Sequence, residues 1–165
     1  MIVLTNMVIP TIIHRQHQIC RLCFFQADPC IRHIAVINKS DTQPELLLLD
    51  YPLVSTRNLP SGPLADYVKT GLFGEGYSDT EENRYAVDRH IDSAYPPVYL
   101  AAARDDDTVP PKDQDDLKTA LENADIAHRF EITEHGGHGF GLGSDTELAG
   151  WVDRALAWWE KHDGT

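Results

Sequence analysis

Residues 98–110, VYLAAARDDDTVP, decide the reading of the whole chain. Val98 to Ala103 is a run of apolar and small residues with one tyrosine, the pattern of a strand covered on both faces. It stops at Arg104 and three aspartates, Asp105, Asp106 and Asp107, followed by Thr108, Val109 and Pro110. Asp113 then stands where an N-cap is expected, with Leu117, Leu121 and Ala124 on one face of the helix behind it. Residues 127–133 supply a further strand. Ser144 and Glu147 give a capping-box pattern before a last helix, whose apolar stripe is Leu148, Trp151, Val152, Ala155 and Trp159. The order strand, helix, strand, helix predicts an α/β layered fold.

Working upstream, Leu46 to Leu49 and Ile34 to Ile37 are continuous apolar runs, expected as buried strands of the same sheet. Residues 52–96 are irregular, with Pro52, Pro60, Pro63, Pro96 and Pro97, and short helices are expected over 64–72 and 80–87. Such a segment is expected to cover the site like a cap, and Tyr67, Phe73, Tyr77 and Tyr85 are candidates to line a pocket there.

Met1 to Ile13 is mostly apolar but is broken by Asn6 and Pro10. A membrane helix needs about 20 apolar residues, and a secretory signal needs positive charge ahead of its apolar core. Neither pattern is met, so a soluble, cytoplasmic chain is expected, with either a buried strand or an untidy terminus at this end.

The 165 residues suit one domain or a piece of a larger one. With 42% hydrophobic and 24% charged residues the composition is globular rather than disordered. The formal net charge of −12 argues against nucleic acid and anionic membrane as partners, because both demand clustered Lys and Arg. Three cysteines are too few for a disulfide scaffold and fit a reducing compartment. His14, His17, Cys20 and Cys23 recur at a spacing of three. That spacing drifts around a helix of about 3.6 residues per turn, so the ligands do not converge, and neither metal nor cofactor is expected.

Chemistry is concentrated in two loops that follow strand ends. One holds Asp105 to Pro110; the other is His135-Gly-Gly-His-Gly-Phe-Gly-Leu142. In parallel sheets, ligands bind beyond the carboxyl ends of strands. A carboxylate that orients a histidine is two-thirds of a Ser-His-Asp triad. The residues alone leave three aspartates and two histidines as candidates.

These pieces resemble the α/β-hydrolase serine esterases, in particular the acetyl esterase, acetyl-xylan-esterase-like and lipase-like branch. The resemblance rests on Glu45 to Ser55 (ELLLLDYPLVS), Ser93 to Leu100 (SAYPPVYL), Asp106 to Pro110 (DDTVP), Gly136 to Leu142 (GGHGFGL) and the closing Trp151 to Trp158 helix. It implies Asp106 as the orienting acid and His138 as the general base, with Asp105, Asp107 and His135 as fallbacks. Dienelactone hydrolases and prolyl-oligopeptidase-like peptidases share both loops. The implied activity is hydrolysis of small esters or acetylated sugars through a Ser-His-Asp triad, with a small-molecule ester as partner.

The nucleophile is where the chain departs from the pattern. The family places its serine in Gly-x-Ser-x-Gly on a strained turn between strand and helix, and this chain has no such pentapeptide. The nearest equivalent is a degenerate elbow over 33–42 with Ser40, where Asn38 and Thr42 replace the glycines. Only Asp41 to Glu45 separates Ser40 from the next strand. Parallel neighbours need a crossover of about a dozen residues or more, so 34–37 and 46–50 cannot both occupy the family's parallel positions. An upstream His-Gly-Gly-type oxyanion loop is also missing. The expected organisation is therefore a poorly matching segment 1–44 before residues 45–165. Those form the carboxyl-terminal part of a hydrolase domain, with a partial, mostly parallel sheet flanked by helices and truncated on its N-terminal side. A non-catalytic remnant acting as a binding or scaffold module is the rival reading. A half-sheet leaves an edge and apolar faces to cover, so self-association into a homo-oligomer is expected.

Overall fold

Leu46 to Asp50 is buried at every residue, which a strand achieves only in the middle of a sheet with helices on both faces. The structure, a computed structural model, describes residues 45–162 and, before them, the backbone of residues 2–5, 11–13 and 19–21. In chain order its elements are β1 (Ile2–Thr5), β2 (Thr11–Ile13), β3 (Ile19–Arg21), β4 (Leu46–Asp50), α1 (Pro63–Phe73), α2 (Asp79–Tyr85), β5 (Val98–Ala103), α3 (Pro111–Asn123), β6 (His128–Thr133) and α4 (Trp151–His162). The described sheet runs β3-β2-β1-β4-β5-β6. β1, β4, β5 and β6 are parallel, with β2 and β3 antiparallel at one end. The α/β, mostly parallel architecture read from the sequence is observed.

Alternation along the strands divides the core. Leu47, Leu49, Val98, Leu100 and Ala102 face Leu117 and Leu121 of α3. Leu46, Leu48, Tyr99 and Ala101 face Trp151, Ala155 and Trp158 of α4. Each fully buried leucine contributes about 1.5–3 kcal/mol, and a one-residue slip would exchange the two faces, so the register is firmly held. At the sheet's β6 edge burial is only partial, and His128, Arg129 and Glu131 there discourage pairing with another strand.

The parallel neighbour of β4 on its other side is Ile2–Thr5, with Leu47 opposite Val3. Residues 33–42, including the 34–37 run, lie outside the described residues.

Three local readings need correction. Asp113 is not an N-cap: α3 begins at Pro111, where the missing N–H costs nothing in a first turn. The Asp113 carboxylate turns back instead to accept from the backbone of Val54 and Ser55 and, at 3.0 Å, from Asn58 Nδ2. It clasps the loop after β4 to the start of α3. Ser144 and Glu147 cap no helix, because residues 144–150 are successive turns and α4 starts at Trp151. A capping box does form at Ser78 and Glu81, ahead of α2. In α4, Trp158 is buried alongside Trp151, while Trp159 packs only partly against the same core.

Candidate active site

The carboxyl ends of three adjacent parallel strands place Tyr51 after β4, Asp106 after β5 and His138 after β6. The Asp106 loop is fixed from within. Val109 is buried against Leu53, Leu59, Ala65, Val68 and Leu72, so the underside of α1 anchors the bend. Asp106 Oδ1 accepts from the N–H of Thr108 at 2.9 Å and of Val109 at 2.8 Å. Its other oxygen, Oδ2, lies 2.8 Å from His138 Nδ1. Asp106 is 6% exposed. A carboxylate only accepts, so Nδ1 carries the proton and Nε2 presents a lone pair. Among the described residues Nε2 has no hydrogen-bond partner.

The fallback residues take other places. Asp105 accepts from the Gly137 N–H at 2.8 Å and meets His135 Nδ1 at 3.3 Å, in a pair open to solvent. The Gly137 N–H, followed by the His135 partner, holds the Asp105 carboxyl below the usual carboxylate range. Asp105 thus ties the histidine loop to the aspartate loop beside the Asp106–His138 pair. Gly137 takes φ +62, a left-handed value that a side chain would oppose. Asp107 is exposed and, among the described residues, accepts only from the Thr108 hydroxyl. The histidine loop is pinned again downstream, where Trp151 Nε1 donates to the Gly141 carbonyl at 2.8 Å.

Ser40 lies outside the described residues, as do His14, His17 and Cys23, and only the backbone of Cys20 is described. No cluster of three metal-ligating side chains occurs among the described residues, and no described helix is long and apolar enough to cross a membrane. Of the aromatic candidates, Phe73 stacks with Tyr85 and meets Tyr77 at a tilt, and Tyr67 stands 76% exposed. A polar cleft of about 860 Å³ lies between residues 57–58, 88–93 and α3, and neither Asp106 nor His138 lines it.

The model of the prolyl oligopeptidase family matches residues 52–165. The chain belongs to that family. Both loops of the Asp106–His138 pair fall inside the matched segment. A curated relative, endo-1,4-beta-xylanase B of Butyrivibrio fibrisolvens, is 25% identical over 109 residues, 66% of this chain and 16% of its own length. An acetyl ester-xyloside bifunctional hydrolase from Caldicellulosiruptor lactoaceticus superposes with a TM-score of 0.64 at 24% identity, covering 78% of this chain and 52% of that one. A carboxylesterase from Lactobacillus plantarum gives a TM-score of 0.60 at 21% identity, covering 76% and 47%. A sugar hydrolase from Lactococcus lactis gives 0.62 at 21%, covering 79% and 54%. These likenesses establish the α/β-hydrolase fold, and the chain spans about half the length of the solved relatives.

Sequence reasoning singled out Asp106 and His138, which the structure brings together, but missed Tyr51. Its ring lies 4.6 Å from the His138 ring and 4.8 Å from that of Phe140. The one signal available was its position, first after a buried parallel strand.

Proposed function

We propose that this chain is the acid–base portion of a serine ester hydrolase, with His138 as general base and Asp106 holding its tautomer. The observation that carries the reading is the part-buried 2.8 Å contact between Asp106 Oδ2 and His138 Nδ1. In the proposed reaction a serine hydroxyl attacks the ester carbonyl while His138 Nε2 takes its proton. The acyl-enzyme forms as the alcohol leaves with that proton, and water then repeats the sequence to release the acid. Ser40 is the candidate nucleophile. The names of the relatives favour acetylated sugars or other small esters over peptides as substrates. The proposed arrangement also includes self-association into a homo-oligomer.

The test is turnover of p-nitrophenyl acetate by wild type and His138→Ala, with fluorophosphonate labelling mapped by mass spectrometry. His138-dependent turnover and a labelled Ser40 support the full triad. Equal rates in both proteins overturn it. The second reading, a binding module without catalysis, is favoured by the missing Gly-x-Ser-x-Gly and predicts neither turnover nor label.

A further inference from the structure

Tyr51 is the first residue beyond β4, and its backbone is unusual. It sits at φ +38, and among the described residues only Asp125 is another non-glycine with positive φ. A tyrosine there is strained, because Cβ crowds the following carbonyl. Such a residue persists only where its surroundings over-determine it. Here the Tyr51 N–H donates to the Ala101 carbonyl at 2.9 Å, extending the β4–β5 ladder by one bond. The ring is buried, tilted 60° against His138 and edge-on to Phe140.

The strain changes where the side chain goes. Strict alternation after Leu47 and Leu49 would send residue 51 toward the α3 face of the sheet. The positive φ carries the ring instead to His138 and to Phe140, which packs with the α4 core. Phe140 is itself two residues beyond His138, so Tyr51 wedges both ends of the same loop segment. Asp106 fixes the imidazole at one atom, Nδ1, and one hydrogen bond leaves a ring free to swing about that contact. A second surface, pressed on the ring, removes that freedom.

We propose that Tyr51 is a positioning residue for His138: its ring holds the imidazole against rotation, so that the proton stays on Nδ1 facing Asp106. The role is carried by the aromatic face and not by the hydroxyl. This inference rests on the reading of His138 as the base, but its first readout does not need turnover.

The experiment records ¹⁵N NMR of the His138 ring in wild type, Tyr51→Phe, Tyr51→Gly and Phe140→Leu, with p-nitrophenyl acetate kinetics in parallel. Tyr51→Gly suits the backbone, since glycine adopts positive φ freely, and removes the ring. The wild type and Tyr51→Phe are expected to show one tautomer with a protonated Nδ1. Tyr51→Gly is expected to show averaged tautomers, and Phe140→Leu a smaller shift the same way. In Tyr51→Gly, kcat is expected to fall about 10–100-fold with KM changed less than about threefold, the mark of a misplaced base. A single unchanged tautomer in both Tyr51→Gly and Phe140→Leu overturns the proposal. Averaged tautomers in a protein without turnover uphold the positioning role and overturn the hydrolase reading. His138-dependent turnover untouched by Tyr51→Gly does the reverse.

Discussion

Replacing Asp106 by asparagine isolates the chemistry of the site from its shape. Asp106 Oδ1 accepts from two backbone N–H groups, those of Thr108 and Val109. An amide nitrogen cannot take that place, because it would set a donor against two donors. The asparagine oxygen therefore stays on the backbone side and the amide nitrogen must face His138 Nδ1. As a donor, it makes Nδ1 the acceptor and moves the ring proton to Nε2. The lone pair that would take the serine proton is gone, although the side chain has hardly changed in volume. In Ser-His-Asp enzymes this exchange costs about 10⁴ in turnover, or about 5–6 kcal/mol of transition-state stabilisation at roughly 1.36 kcal/mol per decade. The assay is kcat/KM on p-nitrophenyl acetate, with ¹⁵N NMR reporting which ring nitrogen holds the proton. The expected result is an Nε2-protonated ring and a loss near four decades. A loss below about tenfold, or a ring still protonated on Nδ1, refutes the reasoning.

Further predictions concern stability. Burial pushes the Asp113 carboxyl up to about 7, against the lowering pull of Asn58, Val54 and Ser55, and Asp88 adds to the rise. With the folded value above the ordinary 3.8, the native state binds the extra proton between about pH 4 and 7. Asp113's contribution is then fully present below pH 4 and lost as pH rises through 7, worth up to about 4 kcal/mol at roughly 1.36 kcal/mol per unit. Urea midpoints followed by tryptophan fluorescence from pH 4.5 to 8 should show this fall flattened in Asp113→Asn, and an equal slope in both proteins rejects it. The Tyr95 hydroxyl is buried with no partner among the described residues, so Tyr95→Phe should leave stability unchanged or raise it by about 1 kcal/mol; a lowered melting temperature would contradict this. Gly143 has φ +67, and a Cβ there would stand 2.9 Å from the Leu148 carbonyl carbon. Gly143→Ala should destabilise by on the order of 2–4 kcal/mol, and a denaturation midpoint equal to wild type would count against that close contact.

How the chain divides between what is legible and what is not follows from distance along the sequence. The layered α/β class came from local pattern alone. A run such as Val98 to Ala103 has no polar face to offer water, so it must lie between two helical layers. The acidic loop and the glycine-flanked histidines stood out because each follows such a strand end. Composition and spacing offered three aspartates and two histidines; the resemblance chose Asp106 and His138, and the structure places these two together. That pairing spans 32 positions, and only the parallel register of β5 and β6 brings those two loop ends together. Asp113 was misread because a cap is a local inference, whereas its partners Val54 and Ser55 lie 59 and 58 residues away. Tyr51 was missed for the same reason: its backbone angle is imposed by Ala101 and its ring by His138 and Phe140, none of them a sequence neighbour. The sequence by itself determined the layers, the strand ends and the two loops rich in functional groups, because burial and turn chemistry act within a few residues. Tertiary structure alone decided that Ile2–Thr5 flanks β4, how Asp113 clasps the chain, and that an aromatic ring presses on the histidine. Those contacts exist only once parallel strands bring distant residues to one edge of the sheet.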